Sequence, residues 1–176
     1  MRYTIRAGML YEENRQESLI HMKGIFSGPE KHICLPNEEW VLRTFIRDLP
    51  APPRKRSDVR FREYVMLDPD GAEIARGKPD YAQGEDPAVT GWPICRMPRV
   101  DHADVTIQGK PYALIMHNSQ NYTMKDIHDA DVLRIMHRGL IGGWLLEDRC
   151  GFAPEILCAL FAFCRYIELE NEFIIV

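Results

Sequence analysis

The stretch Pro154-Glu-Ile-Leu-Cys-Ala-Leu-Phe-Ala-Phe-Cys-Arg-Tyr-Ile167 carries no charge between Glu155 and Arg165, and its reading decides how the rest of the chain must be arranged. Proline suits the first turn of a helix, where a missing N–H loses no partner, and Glu155 beside it complements the positive helix end. On a helical wheel Ile156, Leu157, Leu160, Phe161, Phe163, Cys164 and Ile167 sweep a broad arc. The small Cys158, Ala159 and Ala162 take the opposite side. A helix that is apolar all round has to be enclosed all round. A bilayer would do this only for a run of about 20 apolar residues, and here charges bracket the run at both ends. The pattern therefore predicts a core helix over about 153–169, wrapped by the remainder of the chain and followed by a short strand at the C-terminal end.

Upstream, the chain reads as short strands and turns. Residues 1–7 alternate, with Met1, Tyr3 and Ile5 on one side and Arg2, Thr4 and Arg6 on the other, as in a half-buried strand. Leu19–Phe26 is compatible with a short helix or a strand. His32–Leu35 and Trp40–Ile46 form a hairpin across the turn formers Pro36-Asn37-Glu38. Phe61–Leu67 and Ala72–Arg76 flank Asp68-Pro69-Asp70-Gly71, the sharpest hairpin signal in the chain. Gly77–Pro98, with its prolines and glycines, reads as loop. A hairpin about Gln108-Gly109 follows, with Pro111 placing its second strand at an edge or starting just after the proline. Tyr122–Ile127 and Val132–Met136 pair across a turn at His128–Asp131, and Gly139–Asp148 is a strand loosened by Gly142 and Gly143, through a bulge or a close backbone approach. Many short strands and one buried helix predict a mostly β, α+β fold: an antiparallel closed barrel of hairpins around the C-terminal helix.

A chain of 176 residues is one domain, 1–176, with enough length to bury a core without staples. The N-terminus lacks the apolar run of a signal peptide and no segment is long enough to span a bilayer, so the expected location is the cytoplasm, with peripheral contact at a membrane. Five cysteines, an odd number without CxxC spacing, are expected to be reduced and buried. The net charge of −4 excludes a global attraction to nucleic acid or anionic lipid, so an electrostatic partner has to use a local patch.

The hairpin Tyr64-Val-Met-Leu-Asp-Pro-Asp-Gly-Ala-Glu-Ile-Ala-Arg-Gly77, taken with the C-terminal helix, resembles the tubby C-terminal-like superfamily. Within it the chain is similar to small bacterial members, related in fold to the LURP-one-related proteins and the phospholipid scramblases. The resemblance extends over nearly the whole chain and implies a closed barrel threaded by the C-terminal helix, the arrangement that the wheel requires by itself. It carries over no functional residue: nothing here matches the residues that recognise phosphoinositides in tubby proteins, or a scramblase-type calcium loop or palmitoylated cysteine cluster.

One local bias stands out. Between Arg43 and Arg62 there are seven basic residues against Asp48 and Asp58, a net of +5 in an acidic chain. Arg54, Lys55, Arg56, Arg60 and Arg62 are the candidate contacts for lipid phosphates, on a segment stiffened by three prolines. Aromatic interleaving is thin, so nucleic acid is not an expected partner. The first functional reading is a non-enzymatic binding module for anionic phospholipid headgroups or a protein partner. The alternative is a metal-dependent or hydrolytic enzyme using Asp101-His102-Ala-Asp104 and Asp126-Ile-His128-Asp129-Ala-Asp131, which combine imidazole with carboxylates. Aspartates are also ordinary turn formers, and neither segment has a metal-ligand spacing, so no metal or cofactor is assigned. His117-Asn118-Ser119 sits in no nucleophile elbow, and Gly139-Leu-Ile-Gly142-Gly143 lacks the Lys-Ser/Thr ending of a phosphate loop.

Overall fold

The computed structural model describes residues 1–24, 28–50, 61–86 and 99–171. Twelve strands close into an antiparallel barrel in which each strand pairs with its neighbours in sequence and the first pairs with the last. In chain order they are β1 (Arg2–Arg6), β2 (Met9–Glu12), β3 (Ser18–Lys23), β4 (Glu30–Cys34), β5 (Trp40–Asp48), β6 (Arg62–Leu67), β7 (Glu73–Tyr81), β8 (Val100–Ile107), β9 (Lys110–Asn118), β10 (Asn121–Lys125), β11 (Asp131–His137) and β12 (Trp144–Asp148). A one-turn helix, α1 (Gly139–Gly142), precedes β12, and α2 (Pro154–Glu170) follows it.

The strand alternation and the helix sequence build one core. Tyr3 stands opposite Leu146, Leu146 opposite Ile135, and Ile135 opposite Tyr122, an inward row that crosses four strands and is buried throughout. Along α2 every residue from Leu157 to Cys164 is buried, as are Tyr166 and Ile167. The uncharged stretch of the helix thus runs inside the barrel, where strands on several sides cover it. No helix among the described residues is long and apolar enough to cross a membrane.

The helix enters at one rim and leaves at the other. β12 passes to α2 through residues 149–153 at the rim that also carries the β2–β3, β4–β5, β6–β7, β8–β9 and β10–β11 turns. At the opposite, exit rim, Asn171 caps the helix by donating from Nδ2 to the Ile167 carbonyl at 2.9 Å. The same amide donates to the carbonyl of Val100, the first residue of β8, at 2.8 Å, while its Oδ1 accepts the Val100 N–H at 2.9 Å. One side chain therefore completes the helix end and the strand start together.

Several boundaries differ from the sequence reading. Of Leu19–Phe26, Leu19 to Lys23 belong to strand β3, and Ile25 and Phe26 lie outside the described residues. Met9–Glu12, absent from the expectation, is β2, entered through a two-residue turn in which Ala7 has φ 48° and Gly8 φ 76°. The segment expected as loop from Gly77 is strand as far as Tyr81. Its Pro79 pairs with β8 opposite Ala103, beyond the stretch 73–77 over which β7 also pairs with β6. Pro111 lies within β9, not ahead of it, opposite Thr106 on β8 and outside the stretch from Ala113 onward that pairs with β10. Both prolines occupy positions where one side of the strand has no ladder to interrupt, the physical equivalent of an edge inside a closed barrel. The turn between β10 and β11 spans 126–130, closed by Asp126 N–H to the Ala130 carbonyl at 3.0 Å, so Ile127 lies on the turn. Gly139–Asp148 is not one loosened strand: a helical turn comes first, and Gly143, at φ 66°, joins it to β12. A Cβ there would lie 2.3 Å from the Ile5 carbonyl oxygen, the close backbone approach that the glycines suggest. Cys34, Cys158 and Cys164 are buried free thiols, whereas Cys150 is exposed in the connection to α2, against the expectation for it. Residues 172–176, expected as a terminal strand, and Cys95 lie outside the described residues.

Candidate functional site

Of the candidate lipid contacts, Arg54, Lys55, Arg56 and Arg60 lie outside the described residues. Arg62 opens β6, and its guanidinium is already engaged. Nε donates to Asp48 Oδ1 of β5 at 3.0 Å, and Nη1 lies 3.4 Å from Glu170 at the end of α2. It works as a tie between barrel wall and helix. The other described cations of the same region are also paired. Arg43 lies over the Phe45 ring with Glu30 at 3.8 Å, and Arg47 meets Glu63. The described arginines of the +5 region therefore spend their charge on the barrel itself.

The two His/Asp segments do not meet. Asp101 and His102 follow Val100 on β8 near the exit rim, where His102 Nδ1 lies 2.8 Å from Asp101 Oδ1 and Arg99 reaches the other carboxylate oxygen at 3.3 Å. His128 belongs to the turn at the entry rim. In that turn Asp126 accepts the His128 and Ala130 N–H groups at 2.9 and 3.0 Å, and these bonds, the Ala130 bond first, hold its carboxyl below the usual range. Asp129 takes Lys125 at 2.7 Å. Asp131 takes Arg134, whose hydrogen bonds lower that carboxyl as well. His117 binds Thr123 Oγ1 at 2.9 Å. The carboxylates of Asp101, Asp126, Asp129 and Asp131 each close a turn or pair with a local cation, and among the described residues no group of three His, Cys, Asp or Glu side chains is placed to hold a metal ion.

A charge network that the linear sequence hides lies on the outer face of β5, β6 and β7. Register sets Arg47 opposite Glu63, and Val65, two residues on, opposite Arg76. Arg47 Nε donates to Glu63 Oε1 at 2.5 Å and its Nη2 lies 3.6 Å from Glu73. Arg76 makes a fork to Glu73 at 2.8 and 3.0 Å and reaches Glu63 at 3.6 Å. Glu63 has only 7% of its side chain exposed, so both arginines are needed to compensate its buried charge. The Arg76 hydrogen bond lowers the Glu73 carboxyl. Beside this network a shallow groove of about 310 Å³ is lined by Ile74, Arg76, Thr106, Gln108 and Gly109. Two arginines balance two glutamates, leaving this face with no net attraction for an ion.

Inside the exit rim, α2 contributes the ion pair of Arg165 with Glu168, and the Arg165 guanidinium lies 5.6 Å from the centre of the Trp144 ring. Lys31 is buried nearby on β4, with its ammonium donating to the Gly28 carbonyl at 2.8 Å. Burial, and then the charge of Arg165, push its pKa down.

The turn sequences make the entry rim acidic. The entry-rim connections, all of them described, contain Glu13, Glu17, Glu38, Glu39, Asp68, Asp70, Asp126 and Asp129 against Arg15 and Arg149, a net of −6. The described parts of the connections at the exit rim hold Arg99 and Arg138 against Glu85 and Asp86, a net of zero. In sequence, Arg54, Lys55, Arg56 and Arg60 fall between the end of β5 and the start of β6. Comparison of the chain with family models, with curated proteins and with solved structures finds no match.

Proposed function

We propose that the protein is a non-enzymatic binding module of tubby-like type, which engages anionic phospholipid headgroups through the basic segment Arg54, Lys55, Arg56 and Arg60. The observation that carries this reading is the helix inside the barrel: α2 occupies the lumen, so a partner has the outer surface and the rims to bind to. On the outer face the Arg47–Glu63–Arg76–Glu73 network is charge-balanced, and the His/Asp turns are committed to their own backbone and to local cations. The excess positive charge is carried by the β5–β6 connection, which holds four basic residues against Asp58. The barrel-and-helix arrangement is also what the tubby-like resemblance implies.

Vesicle sedimentation tests the proposal, using phosphatidylcholine vesicles with and without phosphatidylserine across a range of salt. The native protein sediments with the anionic vesicles at low salt and is released as salt rises. Each basic residue near an anionic surface contributes about 1 kcal/mol, so the Arg54→Ala/Lys55→Ala/Arg56→Ala variant binds roughly 100-fold more weakly. Arg62 stays intact in this variant because its loss would break the tie to Asp48 and Glu170. Equal binding by the two proteins, or no binding at low salt, overturns the proposal.

A further inference from the structure

We infer that the outer wall of the barrel carries a binding site for a soft monovalent metal ion, cuprous copper, built from Met9, His21 and Cys34. The inference is independent of the lipid-binding reading and uses another part of the wall. Register sets Met9 of β2 opposite His21 of β3, and His21 opposite Cys34 of β4, so the three residues form one row across adjacent strands. Their chain neighbours Leu10, Ile20 and Ile33 are buried in the core, so by strand alternation the row faces outward. Side chains directly opposite each other have Cβ atoms about 4.5–5.5 Å apart. One ion at the imidazole is therefore within reach of the thiol on one side and of the unbranched, flexible thioether on the other.

The surroundings suit this ligand set. In a regular strand Ser18 and His21, three residues apart, would face opposite ways, but a register shift after Leu10 places Ser18 opposite Tyr11, on the same face as His21. Ser18 Oγ lies 2.8 Å from His21 Nε2. A hydrogen bond that holds one ring nitrogen orients the imidazole and leaves the other, Nδ1, as the donor to a metal. The Met9 sulfur accepts the Tyr11 hydroxyl at 3.5 Å, a weak contact that a metal bond can replace. Cys34 is a free, buried thiol. Lys23 stands near it, with its pKa raised by the hydrogen bond to Glu38 and, in smaller part, by the thiol. An ammonium beside a cysteine favours the thiolate. Glu38 is tied to that ammonium at 2.9 Å, and a set of thiolate, thioether and imidazole selects cuprous ion over calcium or magnesium. Zinc takes thiolate, imidazole and carboxylate ligands in fours, and not even three such groups converge among the described residues. His32, on the same face as Cys34, is turned to Glu30 at 3.1 Å and to the Trp40 ring, and lies outside the row.

Anaerobic titration with cuprous ion, in competition with a chromogenic chelator, tests the site. The full chain carries Cys95→Ser and Cys150→Ser, which leaves Cys34 as the one thiol besides Cys158 and Cys164, both sealed in the core. This protein takes up one equivalent, and the ion replaces the Cys34 thiol proton, which passes to solvent. Cys34→Ser abolishes uptake. Ser18→Ala, which removes only the partner of the imidazole, weakens binding by about 10-fold, and His21→Ala and Met9→Leu each weaken it further. His32→Ala leaves it unchanged. Copper-edge X-ray absorption of the loaded protein, which depends on no ligand variant folding, shows two sulfur neighbours and one nitrogen. Failure to take up one equivalent, or full uptake by Cys34→Ser, overturns the site. Unchanged binding by His21→Ala or Met9→Leu, a loss in His32→Ala as large as in His21→Ala, or a spectrum with a single sulfur neighbour overturns it as well.

Discussion

Gly77 stands on β7 against aromatic side chains of the helix and of β6. A Cβ at this position would lie 3.2 Å from both Phe163 of α2 and Tyr64 of β6. Those two rings are themselves in contact, 5.6 Å between centroids, and both residues are completely buried. The glycine therefore makes room for aromatic side chains and is not needed for its backbone freedom. Gly77→Val should overpack this junction and cost about 1–3 kcal/mol, lowering the thermal midpoint by several degrees. Adding Phe163→Leu should return part of that loss, since the two positions share one volume and their effects are coupled. A Gly77→Val protein as stable as the native one would mean that the wall is further from the helix. Nothing in the linear sequence marks this glycine, because its neighbours are supplied by a strand and a helix that reach it only after the barrel closes. Arg62 teaches the same lesson for charge: in sequence it belongs to a basic run, while in three dimensions two carboxylates from β5 and α2 claim it.

At the scale of elements, α2 was legible because its signal is local. A proline start, nine uncharged residues and small residues opposite large ones require an enclosed helix whatever encloses it. How that helix ends was not legible. Asn171 satisfies the Ile167 carbonyl and both backbone groups of Val100, so it couples the last turn of α2 to the first residue of β8. Asn171→Ala should cost about 1–3 kcal/mol by leaving these groups, in a setting where Val100 is buried, without partners. Amide exchange resolves the cause: the Val100 N–H should exchange faster in the variant while amides in the middle of α2 keep their protection, and an unchanged Val100 rate would detach the side chain from the strand. The hairpins were legible where turn residues lie next to alternating strands, as at Asp68–Gly71. They were misjudged where a short apolar run serves two structures. Gly139–Gly142 reads as strand by composition, but Gly139 and Gly143 both have positive φ and bound a helical turn instead. The prolines that suggested a loop after Gly77 and an edge at Pro111 could not reveal that each strand outruns one of its two neighbours.

For the whole molecule, closure of the barrel on a neutral core sets the response to alkali. Burial pushes the hydroxyls of Tyr64, Tyr122 and Tyr166 above their ordinary value of 10.0, and the thiols of Cys158 and Cys164 above 9.0. All five stay protonated in the folded chain at a pH where the unfolded chain has begun to lose its protons. The unfolded state then binds fewer protons than the folded state, so stability falls as pH rises. Their contribution is complete below about pH 9 and declines through pH 9–10 and above, with each group supplying up to about 1.4 kcal/mol per pH unit. Lys31 acts in the opposite sense, because its lowered pKa makes the buried ammonium unfavourable and that penalty fades as pH approaches 10.5. One lysine does not offset five acids. The thermal midpoint should therefore fall by about 10 °C or more between pH 8 and pH 11. Part of the absorbance of ionised tyrosine, that of Tyr64, Tyr122 and Tyr166, should rise only with unfolding, and ionisation of all seven tyrosines in folded protein would mean that water reaches the barrel interior.

The sequence by itself determined the features that local periodicity and composition specify: an enclosed C-terminal helix, antiparallel hairpins around it and a positive bias between Arg43 and Arg62. Tertiary structure alone decided how charges are apportioned, because pairing partners come from register and closure. Register brings Glu63 between Arg47 and Arg76, from strands whose sequence spacing predicts no such contact. Closure places β1 against β12 and sends alternate turns to alternate rims, gathering six excess negative charges at one end of a chain whose net charge of −4 does not show it. Electrostatic interactions act through space over a screening length and not along the chain, so their balance becomes defined only when the barrel has closed.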